Sequence, residues 1–175
     1  MDGVIHFPST SIILIGFMGV GKDTVAKILE EATGFPVLGI DKLVEKEKGC
    51  TVAEIIDNHG LPFFRTLESG VLVAHIGQRA IISTGGGIIE SPENRRAMRC
   101  GGRVYWLDAP FEIAKERVKK DTKNVRPLFR DEAAARELLK RREDLYRQCC
   151  HKRIDASGAA EDAARLIYED LPQAA

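Results

Sequence analysis

The chain has 175 residues, of which 44% are hydrophobic and 30% are charged, as is usual for one soluble domain with a full-sized core. Basic and acidic residues number 26 each and aromatic residues make up only 6%, so neither charge nor composition suits a nucleic-acid or anionic-membrane binder. No apolar run approaches the length of a membrane span. We therefore expect a single domain over residues 1–175, with no nucleic-acid or membrane partner.

The cysteines and the N-terminus bear on the compartment. Four cysteines are present (Cys50, Cys100, Cys149 and Cys150), and they form no C-x-x-C pair. Adjacent cysteines rarely share a disulfide, so these residues suit a reducing compartment. The N-terminus lacks the basic and apolar regions of an export signal. We predict a cytoplasmic protein, and a monomer because the sequence shows no long exposed apolar face that demands a partner.

Apolar runs that suit buried strands alternate along the chain with segments of helical periodicity. Strands are predicted at residues 11–15, 37–40, 80–84, 103–107 and 153–155. Helices are predicted in the intervals between these strands and after the last one, with starts marked by the capping box at Thr51 and by Ser91-Pro92. This alternation implies parallel pairing with right-handed crossovers. We predict an α/β fold with three α/β/α layers and a five-stranded parallel sheet.

The first strand runs into the glycine-rich loop of residues 16–24, GFMGVGKDT, and a helix follows. Strand, glycine loop, lysine and helix form the context of a phosphate-binding loop, because glycines let several N–H groups face one anion. The alternative is a glycine-rich turn in an ordinary α/β unit, with no role in phosphate binding. The residues predicted to bind ATP here are Gly19, Val20, Gly21, Lys22, Asp23 and Thr24.

Ligands of such sheets bind at the carboxyl ends of the strands. That rule places the phosphate loop, Asp41, Gly85, Gly86, Gly87 and Asp108 along one edge. Asp41 has a second possible role as the N-cap of a helix over residues 42–48. Consecutive glycines at 85–87 let backbone N–H groups approach a ligand, although a plain strand-to-loop turn is the alternative.

Two charged residues, Arg142 and Glu68, lie on predicted apolar helix faces. Arg142 falls within an apolar stripe, where it either snorkels to solvent or points into a cleft to hold an anion. Glu68 is flanked by apolar residues and has Arg65 three positions earlier. The pair is either an ordinary surface ion pair or a partly buried one in which Glu68 orients Arg65 toward a ligand carboxylate.

The charged segment of residues 121–131 joins two predicted helices and contains Arg126. In a compact kinase-like sheet a loop of this length and polarity is a candidate for a mobile lid. Arg126 then closes over the transferring phosphate; the alternative is a solvated loop arginine.

Taken in order, these motifs resemble the shikimate kinase family of the nucleoside monophosphate kinase-like group. The resemblance runs from about Ile12 to Asp155. Its motifs are the phosphate loop, Asp41, TVAEII at 51–56, FRxxE at 64–68, TGGG at 84–87, RPL at 126–128 and RxxLYR at 142–147. It implies transfer of the γ-phosphate of ATP to the 3-hydroxyl of shikimate, with Mg²⁺ as cofactor, a step toward chorismate and the aromatic amino acids.

The resemblance also implies roles for individual residues on the substrate side. Asp41 would hydrogen-bond the ring hydroxyls of shikimate and help to take up the proton. Arg65 and Arg142 would pair with the shikimate carboxylate, with Glu68 in support, and residues 85–87 would line the ring.

On the nucleotide side, the resemblance implies that Lys22 and Arg126 neutralise charge on the transferred group. Lys119 stands where the family often has an arginine packed on adenine. Two positions depart from the family pattern: Asp23 replaces a serine or threonine, and Gly39 replaces an acidic residue that helps to hold magnesium. We hypothesise that the carboxylate has moved and that Asp23 is the metal ligand.

The sequence leaves two rival functions open. The chain could phosphorylate another carboxylate-bearing polyol, although Arg65 and Arg142 both suit an anionic substrate. It could also be a nucleotide-binding relative with weak catalysis, because both metal-associated positions, Asp23 and Gly39, have changed together.

Overall fold

The computed structural model describes residues 11–120 and 131–172. Its five strands form one sheet in the order β2-β3-β1-β4-β5, and all four neighbouring pairs are parallel. The strands are β1 (Ser11–Ile15), β2 (Val37–Gly39), β3 (Ile81–Ser83), β4 (Gly102–Asp108) and β5 (Lys152–Asp155). The predicted five-stranded parallel sheet is therefore confirmed.

The described residues form eight α-helices that connect and cover the strands. They are α1 (Lys22–Thr33), α2 (Ile40–Lys48), α3 (Val52–His59), α4 (Leu61–His75), α5 (Pro92–Gly101), α6 (Phe111–Lys120), α7 (Glu132–Cys149) and α8 (Ala160–Asp170). The proposed lid, including Arg126, lies outside the described residues except for Asp131, whose side chain caps the N-terminus of α7. None of the helices that can be described is both long and apolar enough to cross a bilayer.

Strand β1 is central because its side chains are buried on both faces of the sheet. Ile12 and Leu14 pack into the core on one face with α1 and α8, whereas Ile13 and Ile15 pack on the other face with α4 and α5. Successive strand residues point to opposite faces, so a continuous run of β-branched and leucine residues serves two cores at once. This arrangement gives the three predicted layers.

Two of the predicted helix starts are confirmed, and one is wrong. Thr51 and Glu54 form the reciprocal capping box of α3, and the Ser91 side chain caps α5. Asp41 is not a helix N-cap, because α2 begins at Ile40, two residues earlier than the sequence pattern suggested, and Gly39 occupies the cap position. Asp41 lies instead within the first turn of α2, directly after the carboxyl end of β2.

The strand order sets the position of the site. From β1 the chain crosses to β2 on one side of the sheet, whereas β4 and β5 lie on the other side. The order therefore reverses beside the carboxyl end of β1, which is where open α/β sheets leave a crevice for ligands.

Candidate active site

The phosphate loop lies between β1 and α1, as predicted. Gly19 and Gly21 have φ values of +81° and +96°, a region that side chains other than glycine disfavour. Gly21 is the N-cap of α1 and supplies no side-chain cap, so the first N–H groups of the helix remain available to an anion. Lys22 extends its ammonium group over the loop, where Nζ donates to the carbonyls of Gly16 at 2.9 Å and Phe17 at 3.0 Å.

A cleft of about 770 Å³ opens in front of this loop, a size typical of small-molecule sites. The phosphate loop, Asp41 and Gly85 line it, and a wall of alanines that runs from the end of β5 into the start of α8 lines another side (Ala156, Ala159, Ala160 and Ala163). Helix α6 contributes Arg117 and Val118 to this lining. Lys119 is exposed near the end of α6 and is not among the lining residues.

Asp23 is held toward the end of β3, the strand beside the phosphate loop. The hydroxyl of Ser83 donates to Asp23 Oδ1 at 2.7 Å. This contact joins residues that are 60 positions apart, so the sequence did not reveal it. Both residues line the cleft, so the hydrogen bond fixes the Asp23 carboxylate within the site. Gly39, the second position that departs from the family pattern, lines the same cleft at the end of β2.

The Arg65–Glu68 pair is not the ordinary surface pair that was one alternative. Arg65 Nη1 lies 2.7 Å from Glu68 Oε2, and the Glu68 side chain is 0% exposed. Glu68 Oε1 has no hydrogen-bond partner among the described residues. A Cβ placed on Gly85 would lie 2.6 Å from that oxygen and 2.9 Å from Asp41 Oδ1, so both carboxylates face the same glycine.

Burial raises the pKa of the Glu68 carboxyl to about 6, and nearby Asp41 adds to this effect, although Arg65 opposes it. The pKa of the Glu68 carboxyl is thus higher in the folded protein than its ordinary value of 4.5 in the unfolded chain. The contribution of this carboxyl to folding stability is complete below the pKa of the unfolded chain, and it is lost as the pH rises through about 6.

A Glu68→Gln substitution removes this titration while the amide oxygen can still accept from Arg65. We expect the free energy of unfolding of the variant, relative to the unsubstituted protein, to increase by roughly 1 to 2 kcal/mol between about pH 4.5 and about pH 7.5. Urea unfolding of both proteins at the two pH values measures this difference. A difference that stays constant with pH would contradict the assigned titration.

Arg142 does not snorkel, since its side chain is only 8% exposed. Its Nε and Nη2 lie 2.9 Å and 2.8 Å from Glu90 Oε1, which fixes the plane of the guanidinium. One turn later on α7, the Tyr146 hydroxyl donates to the Gly86 carbonyl at 2.7 Å and attaches the helix to the glycine segment. Neither Glu90 nor Tyr146 was predicted from the sequence as a site residue.

The two arginines converge at Gly87. A Cβ at this position would overlap Arg65 Nη2 and would lie 2.9 Å from Arg142 Nη2. Only a residue without a side chain leaves room for both guanidinium groups, whose combined charge suits a carboxylate. Asp108 does not share this site: it accepts from Arg153 Nε at 2.9 Å and lines a separate cleft with Phe111.

A phosphate loop at the switch point of a parallel sheet, next to a carboxylate and two convergent arginines, defines a P-loop kinase for a small molecule. The comparisons with known proteins narrow this class. A family model for shikimate kinase matches residues 18–172. The chain therefore belongs to the shikimate kinase family.

Individual relatives agree with this assignment. Shikimate kinase from Lactococcus lactis subsp. lactis is 42% identical over 161 residues, covering 92% of this chain and 95% of the relative. The structure of shikimate kinase from Acinetobacter baumannii in complex with shikimate has a TM-score of 0.82 at 35% identity and covers 91% of each chain. That of shikimate kinase from Aquifex aeolicus has a TM-score of 0.80 at 31% identity, covering 91% of this chain and 94% of the other.

Proposed function

We propose that this protein transfers the γ-phosphate of ATP to the 3-hydroxyl of shikimate, giving shikimate 3-phosphate and ADP. The observation that carries the proposal is the meeting of two guanidinium groups at Gly87. The neighbouring Gly86 lines the cleft, and a Cβ at Gly86 would lie 3.5 Å from the Gly16 carbonyl oxygen of the phosphate loop and 3.6 Å from Arg142 Nη1. A carboxylate can pair with the guanidinium donors that Glu68 and Glu90 do not occupy, whereas a neutral polyol offers these donors no charge.

The roles of the residues follow from their positions. The phosphate loop and Lys22 bind the β- and γ-phosphates, and Lys22 stabilises the charge that develops during transfer. Arg65 and Arg142 hold the substrate carboxylate, and Gly85, Gly86 and Gly87 line the ring. Positioning of this kind accounts for most of the catalysis in phosphoryl transfer.

Asp41 is the proton acceptor in this proposal. Its carboxylate faces Gly85 and the cleft, on the side of the site where the ring of the acid lies in the proposed pose. It therefore hydrogen-bonds the acceptor hydroxyl, orients it toward the γ-phosphate and takes up its proton as the new P–O bond forms. Arg126, which lies outside the described residues, remains a proposed second cation on the transferred group, and Lys119 a proposed adenine contact.

Asp23 fits the requirements of a magnesium ligand. Kinase sites commonly hold Mg²⁺ through one or two carboxylates, the phosphates of the nucleotide and several waters. Asp23 lies directly after Lys22 and is oriented by Ser83. When bound, Mg²⁺ would neutralise phosphate charge.

An Asp23→Ala substitution tests this role. We expect the free Mg²⁺ concentration for half-maximal rate, at saturating ATP and shikimate, to rise roughly tenfold because the ion loses its protein carboxylate. Asp57→Ala, which removes an exposed carboxylate from α3, serves as the control and should leave this concentration unchanged. Unaltered magnesium dependence in the Asp23 variant would end the proposal.

A coupled assay of ADP release, with and without shikimate, tests the function itself. We expect ADP release that depends on shikimate. Turnover only with other carboxylate-bearing polyols would favour the first rival function, and ATP binding without any turnover would favour a weakly catalytic nucleotide-binding relative.

We also propose that the protein is a cytoplasmic monomer. Sedimentation of the purified chain would check the oligomeric state, and fractionation of its host would check the compartment.

A further inference from the structure

Arg117 of α6 makes an unusual set of contacts beside the cleft. Its Nη1 donates to the carbonyls of Val20 at 3.1 Å and Ala156 at 2.7 Å. Its Nη2 donates to the carbonyls of Ser157 at 3.3 Å and Gly158 at 2.7 Å. One guanidinium thus joins four backbone carbonyls from two segments of chain, and a planar fork with several donors is suited to this task.

The two segments form different walls of the nucleotide cleft. Val20 belongs to the phosphate loop, and residues 156–158 lead from β5 into the alanine wall at the start of α8. The contacts span 97 positions to Val20 and 39 to Ala156, so no local sequence rule connects them. Arg117 therefore links the phosphate loop to the segment of residues 156–158 on the other side of the cleft.

The charge of Arg117 also bears on the site. Its hydrogen-bond acceptors within the described part of the chain are neutral carbonyls, and none of the ion pairs found there includes it. A Cβ at Gly21 would lie 3.9 Å from Nη1, so the cation adjoins the loop that receives phosphate. A positive charge in this position favours an anionic ligand.

We propose that Arg117 is a positioning residue that ties the phosphate loop to the 156–158 segment and so sets the affinity of the site for nucleoside di- and triphosphates. This inference rests on the proposed function only in taking a nucleotide as the occupant of the cleft. Arg117 acts through the backbone carbonyls that it holds and through its charge. Loss of the fork lets the two walls separate, and a nucleotide then has to order them when it binds.

The test compares ADP binding, measured by calorimetry, in the unsubstituted protein and in Arg117→Met. We expect the dissociation constant for ADP to rise roughly tenfold or more, since several charge-assisted hydrogen bonds that organise the site are lost. Steady-state kinetics should show the matching rise in KM for ATP, with KM for shikimate within about twofold. An unchanged dissociation constant for ADP in a folded Arg117→Met protein would overturn the inference.

Arg99→Met is a matched control. Arg99 also joins backbone carbonyls, those of Gln148, Cys149 and Cys150, but at the C-terminus of α7 and away from the cleft. We expect this variant to melt at a lower temperature and to bind ADP as the unsubstituted protein does. An equal loss of ADP affinity in both variants would reduce Arg117 to a general structural role and contradict the proposal.

Arg117→Lys provides a second test, which applies even if Arg117→Met does not fold. A lysine retains the charge but lacks the fork that reaches both walls, so we expect an intermediate dissociation constant. ADP binding by Arg117→Lys equal to that of the unsubstituted protein would overturn the inference. Shikimate-dependent turnover is scored separately: a protein that binds ADP through Arg117 but does not phosphorylate shikimate would refute the proposed function alone.

Discussion

Replacement of Asp41 by asparagine is expected to lower kcat for shikimate phosphorylation by roughly 10²- to 10⁴-fold, the range in which a positioned proton acceptor contributes. Asparagine keeps the shape of the side chain beside Gly85 and can still hydrogen-bond a ring hydroxyl, so KM for shikimate should change much less. The measurement is steady-state kinetics at saturating ATP, with calorimetry to check that ADP binding is retained.

Asp108→Asn is the matched control for this substitution. Asp108 also lies at the carboxyl end of a strand, but it pairs with Arg153 and lines the other cleft. Its replacement should leave kcat within about twofold. An Asp41→Asn protein that retains more than about a tenth of the original kcat would show that the hydroxyl proton leaves by another route.

A Gly87→Ala substitution is expected to raise KM for shikimate by roughly 10- to 100-fold, the equivalent of one or two charge-assisted hydrogen bonds. Gly87 has φ −97° and ψ −4°, a conformation that alanine can adopt, so the backbone itself is not strained. The added methyl group would overlap Arg65 Nη2 and crowd Arg142 Nη2, which forces the two guanidinium groups apart.

Two measurements separate this effect from a general loss of structure. ADP affinity should stay within about twofold, because the three atoms nearest to the added methyl group belong to Arg65 and Arg142 and not to the phosphate loop. Gly70→Ala, at an exposed position of α4 where a Cβ meets nothing within 4 Å, should leave both substrates unaffected. An unchanged KM for shikimate in Gly87→Ala would show that shikimate binding does not depend on the two arginines meeting at Gly87.

Most of the fold could be predicted from the sequence because its signals are local. The run at Ser11–Ile15, the glycines that follow and Lys22 lie within a dozen residues, and their order alone identifies a strand, a phosphate loop and a helix. The caps at Thr51 and Ser91 act over three residues and were found for the same reason. The start of α2 was missed because Gly39 and Ile40 favour an extended conformation and were predicted as the end of a strand. Ile40 is instead the first residue of α2 and is buried in the core.

The candidate site was predicted only in part. The residue types and the shared sheet edge followed from motifs and from the parallel topology. Glu90, Ser83 and Tyr146 were missed because each acts on a partner 52 to 60 positions away, and each is individually an ordinary polar residue. A charged residue on an apolar helix face, as at Glu68, was the one signal that pointed to burial, and its side chain is buried.

Periodicity and loop chemistry act between near neighbours in the chain, so the layered parallel sheet, the phosphate loop and the charged residues around it could be predicted from the sequence. The meeting of Arg65 and Arg142 at Gly87, and the contacts of Arg117 with two walls of the cleft, became apparent only in the folded protein. These contacts depend on how helices from distant parts of the chain pack against one sheet, and side-chain spacing along a single helix carries no record of that packing.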